Sequence, residues 1–566
     1  MRHLRLLIVV FTIGFSGYAQ NILFIPDTLS GQNINMTLQP GTTQFYNGQI
    51  TNTLGANGNI LGPTLILNRG EMVNLSVQNQ LPDTTTIHWH GMHVSSENDG
   101  GPHTYILPNS TWSPSFTVLD NAATYWYHPH LHKRTNEHVS KGIAGLIIVR
   151  DSLESNLVLP RTYGIDDIPL VIQTKDFDAS NQIVVHSNND DVVMVNATLD
   201  AYVDLPAQII RLRVLNGSSQ RTFNLGLTNN KSFYQIASDG GLLSNPVLSN
   251  RLMLAPGERA ELLVDLTNMI GQTVYLRSYA SEMPNGIYGA TNPGMMAMMT
   301  LNGYNPNPIN GTDFDILEIN VVNQTANAVT TVPQSLVTIS PLDPAAANAT
   351  RNLTFSPSAM GPNQLNGKFL INNSSFDMSI VNYSIPLGDV EIWQLFNQSG
   401  MAHPFHIHDV QFQILTRNGS TPAAGEQGWK DVVLVKPMEN VSFIARFADF
   451  ANDSIPYMYH CHMLSHEDDG MMGQFVVTNP LSTKGPSRKI GFMVYPNPNE
   501  GTFKILFDRV RHIEYQITDV SGRILVLDTI ISDEITISHN LRSGSYLVWL
   551  KDRDDGSQAV DQIMIH

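Results

Sequence analysis

The chain has 566 residues, more than one hydrophobic core usually supports, so several domains are expected. Only 14% of the residues are charged, against roughly 25% in ordinary soluble domains, and 42% are apolar. A net charge of −17 with no long basic run argues against nucleic acid or an anionic membrane surface as partner.

The N-terminus, "MRHLRLLIVVFTIGFSGYAQ", has the layout of a signal peptide over residues 1–19. Arg2 and Arg5 make a positive start, Leu6 to Phe15 a short apolar centre, and Gly17 and Ala19 the small residues of a cleavage site. No other segment is apolar for long enough to span a bilayer. The mature chain is therefore expected to be exported, with no membrane span.

Strand-like alternation then recurs in three long blocks, 20–155, 156–320 and 321–480, and no long stretch has helical periodicity. "TLILNRGEMVNLSVQNQL" (Thr64–Leu81), "IIRLRVLNGSSQRTFNLGL" (Ile209–Leu227) and "LGDVEIWQLFNQSGMAHPFHIH" (Leu387–His408) share one pattern. In each, a strand ends in an Asn-containing segment and a further strand follows. Repetition at this spacing predicts repeated all-β domains. "LSTKGPSRK" (481–489) reads as a linker, and 490–566 as a separate small β-sandwich.

His-x-His occurs at 88/90, 128/130, 130/132, 406/408 and 460/462. Chance would give about 0.6 such pairs for this composition, so the excess needs a chemical reason. On a strand, residues i and i+2 share a face, so each pair offers two imidazoles to one side. Four such strands together present about eight, too many for one zinc and suited to several metals. The middle block has His186 but no His-x-His, and reads as a structural repeat without metal ligands.

Cys461 is the only cysteine and cannot form an internal disulfide. It lies in "YMYHCHMLSHEDDGMM" (Tyr457–Met472), an echo of "YWYHPHLH" (Tyr125–His132). If the strand stays extended, Cys461 projects opposite to His460 and His462 and serves a second site behind the first. A thiolate, two histidines and a weak axial methionine form the ligand set of a blue-copper electron-transfer site.

Together, "HWHG" (His88–Gly91), "HPH" (His128–His130), "HPFHIH" (His403–His408) and "HCHMLSHEDDGM" (His460–Met471) resemble the motifs of the three-domain multicopper oxidases, over about residues 40–480. The resemblance implies three consecutive cupredoxin-like Greek-key β-sandwiches and four coppers per chain. It implies a type 1 copper on His403, Cys461, His466 and Met471, and a type 2 copper on His88 and His406. A type 3 pair would take His90, His128, His130, His408, His460 and His462, placing the cluster between the first and third domains. Asp99 and Glu467 match acids that supply protons during reduction of O₂. The implied reaction couples oxidation of a small reductant, with phenols or aromatic amines favoured, to reduction of O₂ to water. Rival readings are a metal oxidase for Cu(I), Fe(II) or Mn(II), and a copper-free structural protein of the cell envelope.

Two further segments bear on these readings. "PGMMAMM" (Pro293–Met299) is soft enough to bind copper, but its strand-like spacing favours packing in a core. The tail, "YPNPNEGTF" through "LRSGSYLVWL", resembles the C-terminal sorting domain of the type IX secretion system. That machinery is then the expected partner, and a secreted or cell-surface location, reached through the periplasm, the expected fate.

Overall fold

In the computed structural model, the described residues are 20–479, 490–519, 522–538, 540–554 and 557–566. The expected signal peptide and linker lie outside them. The chain divides into two compact units at Thr478.

The first unit holds three two-sheet sandwiches, each closed around its own apolar core. In the first, the sheet carrying the histidines runs Thr28–Ser30, Thr64–Asn68, Gly145–Arg150, Ala123–His128, His88–His90. The facing sheet is built on Asn33–Thr43 and Met72–Asn79, whose alternate residues, such as Val73, Leu75 and Val77, are buried. The third sandwich repeats the plan: Val390–Asn397 lies in one sheet, and His403–Ile407 and Asn452–Cys461 in the other. The middle sandwich has sheets of six and seven strands, and Asn21–Ile22 pairs with its Ala201–Pro206.

The threefold sequence pattern has a physical cause. Each copy crosses from one sheet to the other, and the crossing is pinned by a buried asparagine: Asn79, Asn216 or Asn397. Asn397 Nδ2 donates to the carbonyls of Met401 (2.8 Å) and Val435 (2.9 Å), and its Oδ1 accepts from the Ser399 N–H at 2.9 Å. Asn216 donates to Arg221 and Leu254 and accepts from Ser218. Asn79 donates to Asp83 and Ile106 and accepts from Leu81. One side chain thus satisfies three backbone groups that the crossing would leave unpaired in the interior.

The tyrosine echo is also structural. Tyr127 pairs in register with Gly145, and Tyr459 with Gly473. A Cβ on either glycine would approach the tyrosine ring to 2.3 Å, so each ring covers the bare glycine opposite.

The second unit is a five-stranded sandwich around Phe503, Ile505, Ile517, Val548 and Ile563. Its long strand Thr502–Asp519 shifts register between Leu506 and Arg511. Its first half pairs with Phe492–Tyr495 and its second with Gly544–Asp552. No helix among the described residues is long and apolar enough to cross a membrane.

Asn397→Ala should destabilise the first unit by about 3 kcal/mol, since it strands two carbonyls and an N–H at a cost of roughly 1–3 kcal/mol per buried group. Urea unfolding of the variant checks this; a loss within experimental error would show that the crossing holds without its side chain.

Candidate metal centre

Two groups of side chains meet in the first unit, on opposite faces of one strand. Asn452–Cys461 pairs with His403–Ile407 so that His406 lies opposite His460 and Phe405 opposite Cys461. Cys461 consequently projects into the apolar core of the third sandwich, with Phe369, Met463 and Met471. His460 and His462 flank it in sequence and join the imidazoles on the other face.

The thiol group is compact. Cys461 Sγ lies 3.5 Å from His403 Nδ1 and 3.6 Å from His466 Nδ1. Burial pushes the thiol pKa up and the His466 pKa down to about 3. The Met471 carbonyl accepts from the Cys461 N–H at 3.0 Å, and the Met471 side chain is buried in the same cluster. The other nitrogen of His403, Nε2, faces Ser399 Oγ at 2.8 Å, which fixes the ring. Phe369 packs against both imidazoles, with ring centroids 4.6 Å apart in each case.

The second group joins the first and third sandwiches. His128 faces His88 across the Ala123–His128 pairing. His88 stacks on His408 at 3.9 Å and His90 on His406 at 3.8 Å. His130 Nε2 lies 3.1 Å from His460 Nε2 and 3.2 Å from His408 Nε2, and His90 Nδ1 lies 3.3 Å from His128 Nε2. All the sequence-predicted histidines are thus brought into the two groups.

These residues fit copper. His88 Nε2, His406 Nε2 and both ring nitrogens of His462 are buried without a hydrogen-bond partner. Burial, then repulsion from neighbouring imidazoles, pushes the pKa values of His90, His130, His406 and His460 well below the usual histidine range. Neutral rings with inward lone pairs, crowded without protons to share, suit metal cations. The sulfur and two imidazoles behind them make a softer set.

The two acids differ. Asp99 Oδ2 accepts from His408 Nδ1 at 2.8 Å, and its Oδ1 lies 3.2 Å from His88 Nδ1. Burial raises its pKa, but His408 and His88 more than offset that and hold the carboxyl below its usual range. Glu467 Oε1 and Oε2 lie 3.3 Å from His130 Nδ1 and His460 Nδ1, close but not aligned as hydrogen bonds. Burial, then the charge of Asp468, pushes Glu467 well above the carboxylate range. Environments that separate two carboxyls in this way separate their roles.

Sequence reasoning missed the contribution of the middle sandwich. It gives no imidazole to either group among the described residues, but it supplies Arg259. Arg259 forms a buried bidentate pair with Asp431, at 2.6 Å for both contacts. Asp431 Oδ1 lies 3.1 Å from His90 Nε2, and its carbonyl faces His406 Nδ1 at 2.8 Å. Lys430 bridges Asp239 (2.8 Å) and Glu258 (3.1 Å) alongside. Gly257, at φ +85°, lies so close to the His462 ring that a Cβ would come within 2.9 Å. No local motif marks these residues, since the partners are 172 positions apart.

Two multicopper oxidase family models match, one over residues 37–154 and the other over 343–480, and the family model of the secretion system C-terminal sorting domain matches 493–566. The multicopper oxidase mco of Staphylococcus haemolyticus is 34% identical over 458 residues, 79% of this chain and 89% of that one. The chain belongs to the multicopper oxidase family. The solved laccase-like multicopper oxidase CueO of the lignin-degrading bacterium Ochrobactrum sp. is 32% identical, covering 81% of this chain and 100% of that one, with a TM-score of 0.70. The cell division protein FtsP of Sodalis glossinidius is also similar, 31% identical over 453 residues, 79% of this chain and 89% of that one. The family implies copper binding and oxidase activity, and the tail is a secretion sorting domain.

Of the methionines in Pro293–Met299, only Met299 packs into a core as expected; Met295, Met296 and Met298 are exposed. The segment forms turns rather than a strand, so the two-residue period that predicted burial does not apply.

Arg259→Met should cost about 3–5 kcal/mol, the usual penalty for stranding a buried charge partner. Copper content should fall with it, because His90 and His406 lose the group that orients them. Urea unfolding with metal analysis checks both; unchanged copper would mean the histidines hold their geometry without this pair.

Proposed function

We propose that this chain is an exported laccase-type multicopper oxidase. Type 1 copper would be held by His403, Cys461, His466 and Met471, type 2 copper by His88 and His406, and the type 3 pair by His90, His128, His130, His408, His460 and His462, four coppers in all. When bound, copper supplies the single-electron redox capacity that couples four substrate oxidations to reduction of one O₂ to two waters. The observation that carries the reading is Cys461, whose sulfur faces two imidazoles while both its sequence neighbours belong to the second group. Two peptide bonds then join the site of electron entry to the site of oxygen chemistry.

The chain's own residues divide the remaining work. Asp99, held ionised, orients His88 and His408 and can accept a proton. Glu467, kept protonated by burial, stores one beside His130 and His460. A methionine among the type 1 ligands would favour Cu(II) and a modest potential, which suits easily oxidised phenols and aromatic amines. The oxidase activity toward lignin model compounds attributed to the Ochrobactrum relative supports the same substrate class. The sorting domain supports release or surface display through the type IX machinery.

A second reading, oxidation of Cu(I), is favoured by one observation. Met295, Met296 and Met298 are exposed beside Gly400, whose carbonyl accepts from the Met295 N–H at 2.7 Å. Soft thioethers at a surface suit cuprous ion. Oxygen uptake compared across phenols, Cu(I), Fe(II) and Mn(II) separates the readings. A copper-free structural role would leave the complete ligand set unexplained.

Purified protein should hold about four coppers per chain and be intensely blue. Cys461→Ser should lose the blue band and oxidase turnover together; a variant that stayed blue would refute the type 1 assignment. Asp99→Asn and Glu467→Gln should keep the blue band and fast reduction by substrate. Their reoxidation by O₂ should slow on the order of 10²-fold, the scale of lost acid–base help. Stopped-flow reduction followed by mixing with O₂ distinguishes the two half-reactions, and wild-type reoxidation in both variants would remove these acids from the proton path.

A further inference from the structure

A cavity of about 330 Å³ opens beside His466, where all three sandwiches contribute to its wall. It could take one substituted aromatic ring. His466 forms part of its wall, with Met401 and Met463, so a molecule there would touch the imidazole that faces the Cys461 sulfur. Lys175, the last residue of the strand Asp167–Lys175, also lines it.

Lys175 is the anomaly. The residue is only 3% exposed, and among the described residues its amine, which keeps some contact with the solvent of the cavity, has no hydrogen bond or ion pair. Burying an unpaired ammonium is costly, and such groups are ordinarily paired or lie against a ligand. The acids nearby are committed or remote. Asp190 is held by Arg221 at 2.6 Å and by the Tyr288 hydroxyl at 3.0 Å. Asp176 accepts from the Ser187 hydroxyl, and Asp469 is exposed at the rim. His186, the other imidazole of the cavity, faces the Asn136 side chain at 3.3 Å. The cavity therefore holds one enclosed amine with no direct partner.

We propose that Lys175 is a specificity-determining residue of the electron-donor pocket, and that it selects aromatic reductants bearing a carboxylate or sulfonate. The anionic group would pair with the ammonium while the ring lies against the His466 edge. The inference rests on reading this cavity as the donor site of the oxidase. It also fixes the sign of a pH effect. Burial lowers the Lys175 pKa to about 7. The amine is charged below that value and neutral above it, so affinity for an anion whose own charge is constant falls as pH rises through 7.

The test uses the copper-loaded protein and a matched pair of reductants, 2,6-dimethoxyphenol and its 4-carboxylated analogue. The ratio of their kcat/KM values should drop about tenfold or more in Lys175→Met, the scale expected for loss of a charge-assisted contact, and Lys175→Arg should largely restore it. Comparing ratios between variants cancels the intrinsic potentials of the two phenols. Redox-inert benzenesulfonate, titrated by calorimetry, should bind wild type more tightly at pH 6 than at pH 8.5 and should lose that difference in Lys175→Met. Equal binding of benzenesulfonate to wild type and Lys175→Met would overturn the proposal, as would inorganic sulfate binding as tightly as the aromatic anion. Calorimetry needs no electron transfer, so these failures are distinct from a failure of the oxidase reading, which would appear as missing blue colour or missing turnover.

Discussion

The site depends on the two-residue period of an extended strand. At His460–Cys461–His462 the period sends one sulfur into the apolar core of the third sandwich and two imidazoles toward the first. A helix would scatter these side chains over its circumference, and a loop would not hold them to a fixed separation. Because the strand is paired on both sides, by His403–Ile407 and Met472–Thr478, it cannot slip by one residue without turning every one of these groups to the wrong face. The facing directions of His460 and Cys461 thus follow from hydrogen bonds in the backbone.

Electrostatics completes what the strands begin. Crowding many imidazoles in a buried space would be intolerable if they were protonated. Burial and mutual repulsion push His90, His130, His406 and His460 well below the usual histidine range, which favours their neutral form. The carboxyls beside them are pushed apart: two histidines hold Asp99 below the usual carboxylate range, while burial and the charge of Asp468 push Glu467 well above it. Arg259 neutralises Asp431, so that a carboxylate can orient His90 without leaving an uncompensated charge inside the protein. Among the described residues the middle sandwich gives no imidazole to either group, but its Arg259 braces the Asp431 that faces His90 and His406.

Much of this was legible in the sequence, and the division has a reason. His-x-His, the His-Cys-His run and the strand alternation are local, and the period of a strand converts spacing directly into shared faces. The three asparagine-ended strands could be recognised as a repeat, although their role in closing the sheet crossing could not. Arg259, Lys430 and Asp431 were invisible because ion pairs between residues far apart leave no periodic trace. Lys175 was equally hidden, since a lysine at a strand end is usually solvated. The methionines of 293–299 misled because a two-residue period was assumed where the chain makes turns.

The middle copy of the repeat keeps Asn216 and its three hydrogen bonds, yet the strand that follows reads Phe223–Leu227, without a histidine. Folding information and chemical information are therefore carried by separate residues of the same unit. A sandwich of this kind can gain or lose its histidines while its architecture stays intact, because the residue that closes the crossing is not one of the clustered histidines. In this chain the copy without such a histidine supplies Arg259, which pairs with the Asp431 that faces His90.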